Sequence, residues 1–472
     1  MAPPIGPIGL DYVAGAVKSA GIDVDVLDLC LSDDASMALR KYFATHEVKL
    51  VGISFRNVDD CFWPSAAWFL PELRKTVTAI RNMTFAPIVL GGIGFSIFAE
   101  QIVRYTDVEF GIRGDGEQAI VSLLGELQGS NRFEKVPGLV WRKSGRICSN
   151  QAAWPEPLKL STGRDAIDNV AYFNKGGQCG IETKRGCNRQ CIYCADPLAK
   201  GTTLRVREPA EVADEAEALL EKGIDVLHLC DSEFNIPREH ALAVCEEFIR
   251  RDLGKRLQWY TYMAVVPFDA ELAKTMSRAG CVGIDFTGDS ASSSMLKTYC
   301  QSHGKDELTT AVRLCRENEI RVMIDLLFGG PGEREGTVKE TIDFIKKIKP
   351  NCAGAALGIR IYPNTTMAKM VAAEGELETN PNIHRKYEGA VDFLKPTFYI
   401  SEALGERPDE LIKDLVGDDK RFFVPASPIE EEKINQEADS DYNYNDNTEL
   451  VKAIEGGARG AYWDILRKLR GA

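Results

Sequence analysis

The sequence contains no run of about 18 uninterrupted apolar residues, so a membrane-spanning helix is not expected. Its first ten residues lack a basic segment followed by an apolar core, so no secretory signal is expected either. Positive charge is in short supply. Fifty-seven Lys and Arg face 70 Asp and Glu, a net charge of -13. Such a surface repels phosphate backbones, which argues against a nucleic-acid partner. Internal repeats and low-complexity tracts are absent. What remains is ordinary globular composition, 44% hydrophobic and 27% charged, which excludes a disordered or fibrous chain. At 472 residues the chain is long enough for two or three domains.

Cysteine is the exception to this ordinary usage. There are 13, an odd number. Cys30, Cys230, Cys245, Cys281, Cys315 and Cys352 stand singly in apolar patterns and read as small core residues. A disulfide scaffold would be short and paired, so a reducing cytoplasm fits better. The remaining pattern is different. Cys187, Cys191 and Cys194 have the spacing Cys-x3-Cys-x2-Cys. Three thiolates this close can hold three irons of a [4Fe–4S] cube and leave the fourth iron open to a ligand. A zinc site would need a fourth Cys or His. Cys179 lies eight residues upstream inside an expected strand, and no histidine is near. A three-thiol redox switch has no matching resolving pattern.

The first third alternates helical and strand patterns. Helices are expected over Asp11–Ala20, Pro64–Arg81, Phe98–Tyr105 and Glu117–Leu127. Strands are expected over Val24–Leu29, Lys49–Phe55, Pro87–Leu90 and Val108–Ile112. This order implies a doubly wound parallel sheet whose ligands sit at the carboxyl ends of the strands. Those ends carry Ser54, Arg56 and Asn57, then Gly91 and Gly92, then Arg113, Gly114, Gly116 and Glu117. The glycines either admit a ligand to the backbone or simply permit tight turns.

Further units follow. Strands are expected at Gly180–Thr183, Val226–Leu229, Leu257–Tyr262, Gly283–Thr287, Val322–Phe328 and Ala355–Ile361. Amphipathic helices lie between them, such as Ala210–Glu221 and Asp269–Ala279. About six βα units make a partial barrel, with chemistry at the C-terminal strand ends. The expected divisions are an α/β domain over 1–150, a linker over 151–176, the partial barrel over 177–370 and a mainly helical region over 371–472. In the last of these, Asp392–Leu404 reads as a strand or lid at the barrel mouth, and Glu449–Leu469 as a helix. Residues 429–446, with seven acids and one lysine, read as a solvated loop, or alternatively one facing substrate.

The ordered segments "PPIGPIGLDYVAGAVKSAGIDVDVLDL", "VGISF", "IVLGGIGFSIFAEQIV" and "GIRGDGEQAI" resemble the cobalamin-binding domain that precedes many radical S-adenosylmethionine (SAM) enzymes. Two departures stand out. Only Met1 and Ala2 precede the Pro-Pro where the family has a strand, so either the sheet lacks its first strand or the true start lies upstream. There is also no Asp-x-His-x-x-Gly, so no histidine ligand to cobalt is expected; His46 is the only histidine in this domain. The cysteine motif, with the aromatic Tyr193 before Cys194, resembles the radical SAM signature.

That resemblance implies an open iron that chelates the amino and carboxylate groups of SAM, and cleavage of SAM to a 5′-deoxyadenosyl radical. It places Tyr193 beside the adenine. It implies that Asp231, Ser232 and Glu233, after the second strand, bind the SAM ammonium. Glu233 is the principal acid and Asp231 the second, although Asp231 serves equally as a helix cap. Asp285 and Thr287, at the end of the fourth strand, resemble the segment near the ribose and methionine. Gly329–Glu333 and Tyr362–Thr365 match later family turns.

The implied function is a cobalamin-dependent methyltransferase acting on an unactivated carbon of a small molecule. It would be served by a reductant such as flavodoxin or ferredoxin. The alternative is a radical SAM cyclisation, ring-rearrangement, dehydrogenation or carbon–carbon coupling enzyme that transfers no methyl. A methylthiotransferase would want a second three-cysteine site and a basic C-terminal module. Cys30, Cys61 and Cys148 lack that context. A non-enzymatic iron–sulfur carrier would have no use for the open iron.

Overall fold

The computed structural model describes residues 2–427 and 443–471. Five strands form the first sheet: β1 (Val51–Ser54), β2 (Ile88–Gly91), β3 (Phe110–Ile112), β4 (Leu139–Lys143) and β5 (Arg146–Ser149), in that order. The first three run parallel and the last two antiparallel. Helices Leu70–Arg81 and Ala99–Thr106 bury Leu73, Val77, Ile102 and Val103 against one face. Helices Ile8–Ser19 and Glu117–Gln128 pack against each other and bury Val17, Ile120 and Leu123 in a second cluster with β3 and β4 residues.

Two expectations change here. The segment Val24–Leu29 is not a strand. It is extended chain, and among the described residues no strand lies beside it. Alternation is a local property, but a strand is held by its ladder. Without one, only the partial burial of Val24 and Leu29 holds the segment, and Leu27 stays exposed. The helix expected from Pro64 starts only at Leu70, after a loop in which Asp60 accepts from the Ala67 N–H.

The second sheet has seven parallel strands, one more than expected. They are β6 (Cys179–Ile181), β9 (Val226–Leu229), β10 (Gln258–Ala264), β11 (Cys281–Asp289), β12 (Arg321–Phe328), β13 (Cys352–Leu357) and β17 (Phe422–Phe423). A two-stranded ribbon of β7 (Lys184–Arg185) and β8 (Arg205–Val206) follows β6. The helices between strands cover the outer face. Asp269, for example, caps helix Ala270–Arg278 by accepting from the Leu272 N–H, and Leu272, Ala273 and Met276 are buried. The Asp392–Leu404 segment supplies β16 (Phe398–Tyr399), the centre of a small antiparallel sheet with β14 (Ile359–Arg360) and β15 (Ile383–His384).

The expected helix Glu449–Leu469 is two helices, Thr448–Glu455 and Tyr462–Arg470. Gly457 and Gly460, at φ of 100° and 137°, break it. The acidic stretch falls almost wholly outside the described residues. No helix of the described residues is long and apolar enough to cross a membrane.

Buried ion pairs join the two sheets. The Arg164 guanidinium, fully buried, donates to Asp11 at 2.7 Å and to Glu215 at 2.8 Å. Arg185 donates to both oxygens of Glu117, at 2.9 and 3.1 Å, and to Glu182 at 2.8 Å. Arg360 donates to Asp59 at 2.9 Å. Arg205 pairs with Asp115.

Candidate functional site

The cysteine loop leaves β7 through Gly186, whose φ of 90° and contact with the Thr203 carbonyl leave no room for a side chain. The loop is pinned at three points. The Cys187 N–H donates to Gly201 O at 3.1 Å, the Cys194 N–H to Cys191 O at 3.2 Å, and the Met367 N–H to Ile192 O at 2.9 Å. Ile192 is sunk in an apolar cluster with Met295, Tyr299 and Met367. All thirteen cysteines are free thiols, and burial pushes those of Cys187, Cys191 and Cys194 up from their ordinary range. Among the described residues no three Cys, His, Asp or Glu gather as around a single metal ion. The thiols of a cube each take a separate iron and need not converge on one point.

The acidic turn after β9 divides its labour. Asp231 accepts from the Thr183 N–H at 2.8 Å, from its hydroxyl at 2.5 Å and from the Lys184 N–H at 3.2 Å, so it fastens the exit of β6. The Ser232 hydroxyl donates to Asp196 at 2.6 Å. Glu233 is different. Its Oε1 accepts from the Thr287 hydroxyl at 3.0 Å, while Oε2 is buried with no hydrogen-bond partner. Burial pushes its carboxyl up to about 7, against the pull of Arg189. An orphaned buried carboxylate oxygen is the feature a cationic ligand would satisfy. The residues present therefore fit the ammonium of SAM.

Tyr193 donates its hydroxyl to Asp289 at 2.6 Å, and Gln301 donates to the same carboxylate at 2.5 Å and to Cys191 Sγ at 3.4 Å. Burial pushes Asp289 up to about 6. Arg189 donates to Gln301. Gln301 was not legible as a site residue, because the fold alone brings it to the cysteine loop, where Arg189 meets it.

A cavity of about 440 Å³ lies between the two sheets. Arg56, Asn57 and Gly94 wall it from the strand ends of the first sheet, and Tyr193, Cys194, Thr287 and Asp289 from the barrel. Ser54, Gly91, Gly92, Arg113, Gly114, Gly116 and Glu117 lie outside this lining. The reasons are visible. A Cβ on Gly92 would stand 2.6 Å from Phe55 O, and one on Gly114 would stand 2.9 Å from the Trp154 ring, so close packing accounts for both glycines. Arg113 pairs with Glu100, and Glu117 with Arg185. His46 is exposed and stacks on Tyr42 with ring centroids 4.4 Å apart, away from the cavity. On this side Val58, Phe62, Ile93 and Ile97 add an apolar surface to Arg56 and Asn57, and such a wall at the strand ends of a doubly wound sheet suits the face of a flat cofactor.

The chain matches two family descriptions, "Radical SAM superfamily" over residues 181–345 and "B12 binding domain" over residues 2–124. It is 28% identical to a tryptophan 2-C-methyltransferase of Streptomyces laurentii, over 98% of this chain and 93% of the relative. Among solved structures it is similar to the radical SAM methyltransferase TsrM of Kitasatospora setae with tryptophan and aza-SAM bound. The TM-score is 0.89 and the identity 30%, covering 99% of this chain and 97% of that one. The same enzyme with cobalamin and a [4Fe-4S] cluster superposes at a TM-score of 0.88 with 27% identity, covering 100% and 96%.

Proposed function

The chain belongs to the radical SAM enzymes that carry an N-terminal B12-binding domain, and on that premise we propose that it moves a methyl group from SAM to a carbon of a small aromatic molecule, tryptophan or a related indole. The observation that carries this reading is a cavity that both sheets wall. One wall comes from the strand ends of the B12-binding sheet and the other from the cysteine loop and barrel strand ends. A methyl carrier and a SAM-binding cluster held on those walls would both meet a substrate lying between them.

In this reading Cys187, Cys191 and Cys194 hold the cluster, and Arg56 and Asn57 face the corrin. When bound, the cluster would supply an open iron to chelate SAM and an electron to cleave it, and the corrin would supply the methyl carrier. The chain's own residues do the rest. Glu233 takes the SAM ammonium through Oε2, and the Thr287 hydroxyl fixes the direction of that carboxylate. Tyr193, oriented by Asp289, forms the adenine wall. The thirteen free thiols suit a reducing cytoplasm, where a flavodoxin or ferredoxin would supply electrons.

The test is product stoichiometry. Anaerobic protein loaded with cluster and cobalamin is given SAM, reductant and tryptophan. Methylated tryptophan with S-adenosylhomocysteine is the expected outcome. Equal 5′-deoxyadenosine alongside supports hydrogen abstraction by a second SAM, and its absence rejects that step while leaving methyl transfer. 5′-Deoxyadenosine with no methylated product would select the non-methylating alternative.

A further inference from the structure

The end of helix Ser293–Thr298 delivers one side chain to the cysteine loop. Cys300, just past the helix, takes a left-handed φ of 60°. The Cys300 N–H donates to Lys297 O at 3.2 Å and the Gln301 N–H to Leu296 O at 2.8 Å. This pair of bonds closes the helix C-terminus and fixes the backbone of Gln301. Met295, Leu296 and Tyr299 are buried, and Met295 and Tyr299 share an apolar cluster with Ile192. Helix end and cysteine loop are thus packed as one block, and Gln301 stands where they meet.

Its amide can face only one way. Oε1 accepts from the Arg189 guanidinium, which has donors and no acceptor, so a turned amide would set N–H against N–H. Nε2 therefore points to the other side, with two hydrogens and three acceptors in reach. These are Asp289 Oδ2 at 2.5 Å, Cys191 Sγ at 3.4 Å and the Tyr193 oxygen at 3.4 Å. One hydrogen goes to the carboxylate, and the sulfur and the phenol oxygen compete for the other. Binding iron takes the proton from the thiol, and the charged thiolate is then the stronger acceptor. A donor at a cluster sulfur favours the reduced, more negative state. We propose that Gln301 donates a hydrogen bond to the Cys191 thiolate and so raises the reduction potential of the cluster, with Arg189 holding the amide in that direction. Gln301 is a positioning residue: it acts through Cys191. This rests on the function proposed above only in placing a cluster on Cys187, Cys191 and Cys194.

Two measurements on the cluster-loaded protein, without SAM or substrate, test it. In the first, the Fe–S stretching bands of the wild type are recorded by resonance Raman in water and in deuterium oxide. An N–H donor to a cluster thiolate makes them shift, and the shift should shrink in Gln301→Leu, which removes the donor and keeps the bulk. In the second, the midpoint potential is titrated, with the reduced cluster read by electron paramagnetic resonance. At the wild-type midpoint the ratio of reduced to oxidised cluster should fall about tenfold in Gln301→Leu, about 59 mV for one electron, with iron and sulfide content unchanged. Should that variant lose iron, Gln301→Glu carries the titration, since it still accepts from Arg189 but puts an acceptor where the donor was. An unchanged midpoint in an iron-replete variant overturns the inference. So does a wild-type spectrum indifferent to deuterium, which needs no variant to fold. The shifts without methyl transfer would leave the inference standing and remove the methyltransferase reading. Methyl transfer by a protein whose potential ignores Gln301 would do the reverse.

Discussion

Glu233 holds a carboxylate in a place where burial opposes charge and a neighbouring hydroxyl favours it. Its titration near 7 gives two linked expectations. In the free protein the group is protonated below about 7, so SAM affinity should fall as pH drops through that value, and Glu233→Gln should flatten the profile. At pH 8 the variant should bind SAM about ten- to a hundredfold more weakly, roughly 1.5–3 kcal/mol for a charged hydrogen bond. Stability moves the other way. An ordinary glutamate ionises near 4.5 when unfolded, so between 4.5 and 7 the folded state holds the extra proton. Without SAM, wild type should lose stability relative to Glu233→Gln as pH rises through that window. Thermal unfolding of both proteins at pH 5 and 8 measures the difference, and parallel curves would reject the assignment. Glu233 and the cysteine loop were legible in the sequence because the chemistry there is written in adjacent residues. Arg189, Asp289 and Gln301 were not singled out, because their partners lie up to 112 positions away and only folding brings them together.

Elements were legible where local pattern and long-range pairing agree. β9 spans the same residues as its expectation, Val226–Leu229, because its apolar run has neighbours on both sides. Val24–Leu29 has the alternation and lacks the ladder, and no local pattern distinguishes the two. β17 was missed for the opposite reason: two residues have no period, and its place beside β13 is set by packing. The junction between the sheets is also invisible to local pattern, since Glu117 precedes Arg185 by 68 positions. Arg185→Leu should show what that junction contributes. It would strand the buried carboxylates of Glu117 and Glu182, a loss of about 3–5 kcal/mol. A lowered denaturation midpoint is expected, with faster amide exchange at the start of helix Glu117–Gln128. An unchanged midpoint would mean that water satisfies those carboxylates.

At the scale of the whole molecule, the buried pairs at Arg164, Arg185 and Arg360 rivet the two sheets together around the cavity. Geometry of this kind fixes how the two sheets face each other, since the loss of either partner would leave an uncompensated buried charge. Were those pairs to hold through turnover, a plate-shaped cofactor between the walls would have no quick way out, and its departure would be tied to local unfolding rather than to the reaction cycle. Corrin and polypeptide would then share a lifetime. Cobalamin bound to the enzyme should survive many turnovers in the presence of excess labelled free cobalamin, and Arg185→Leu should hasten the exchange. Replacement of the bound cofactor within a single turnover would show that the rivets give way. Loading would in this sense be a decision taken once, while the chain folds, and the supply of cobalamin at that moment would set how many molecules are ever able to work.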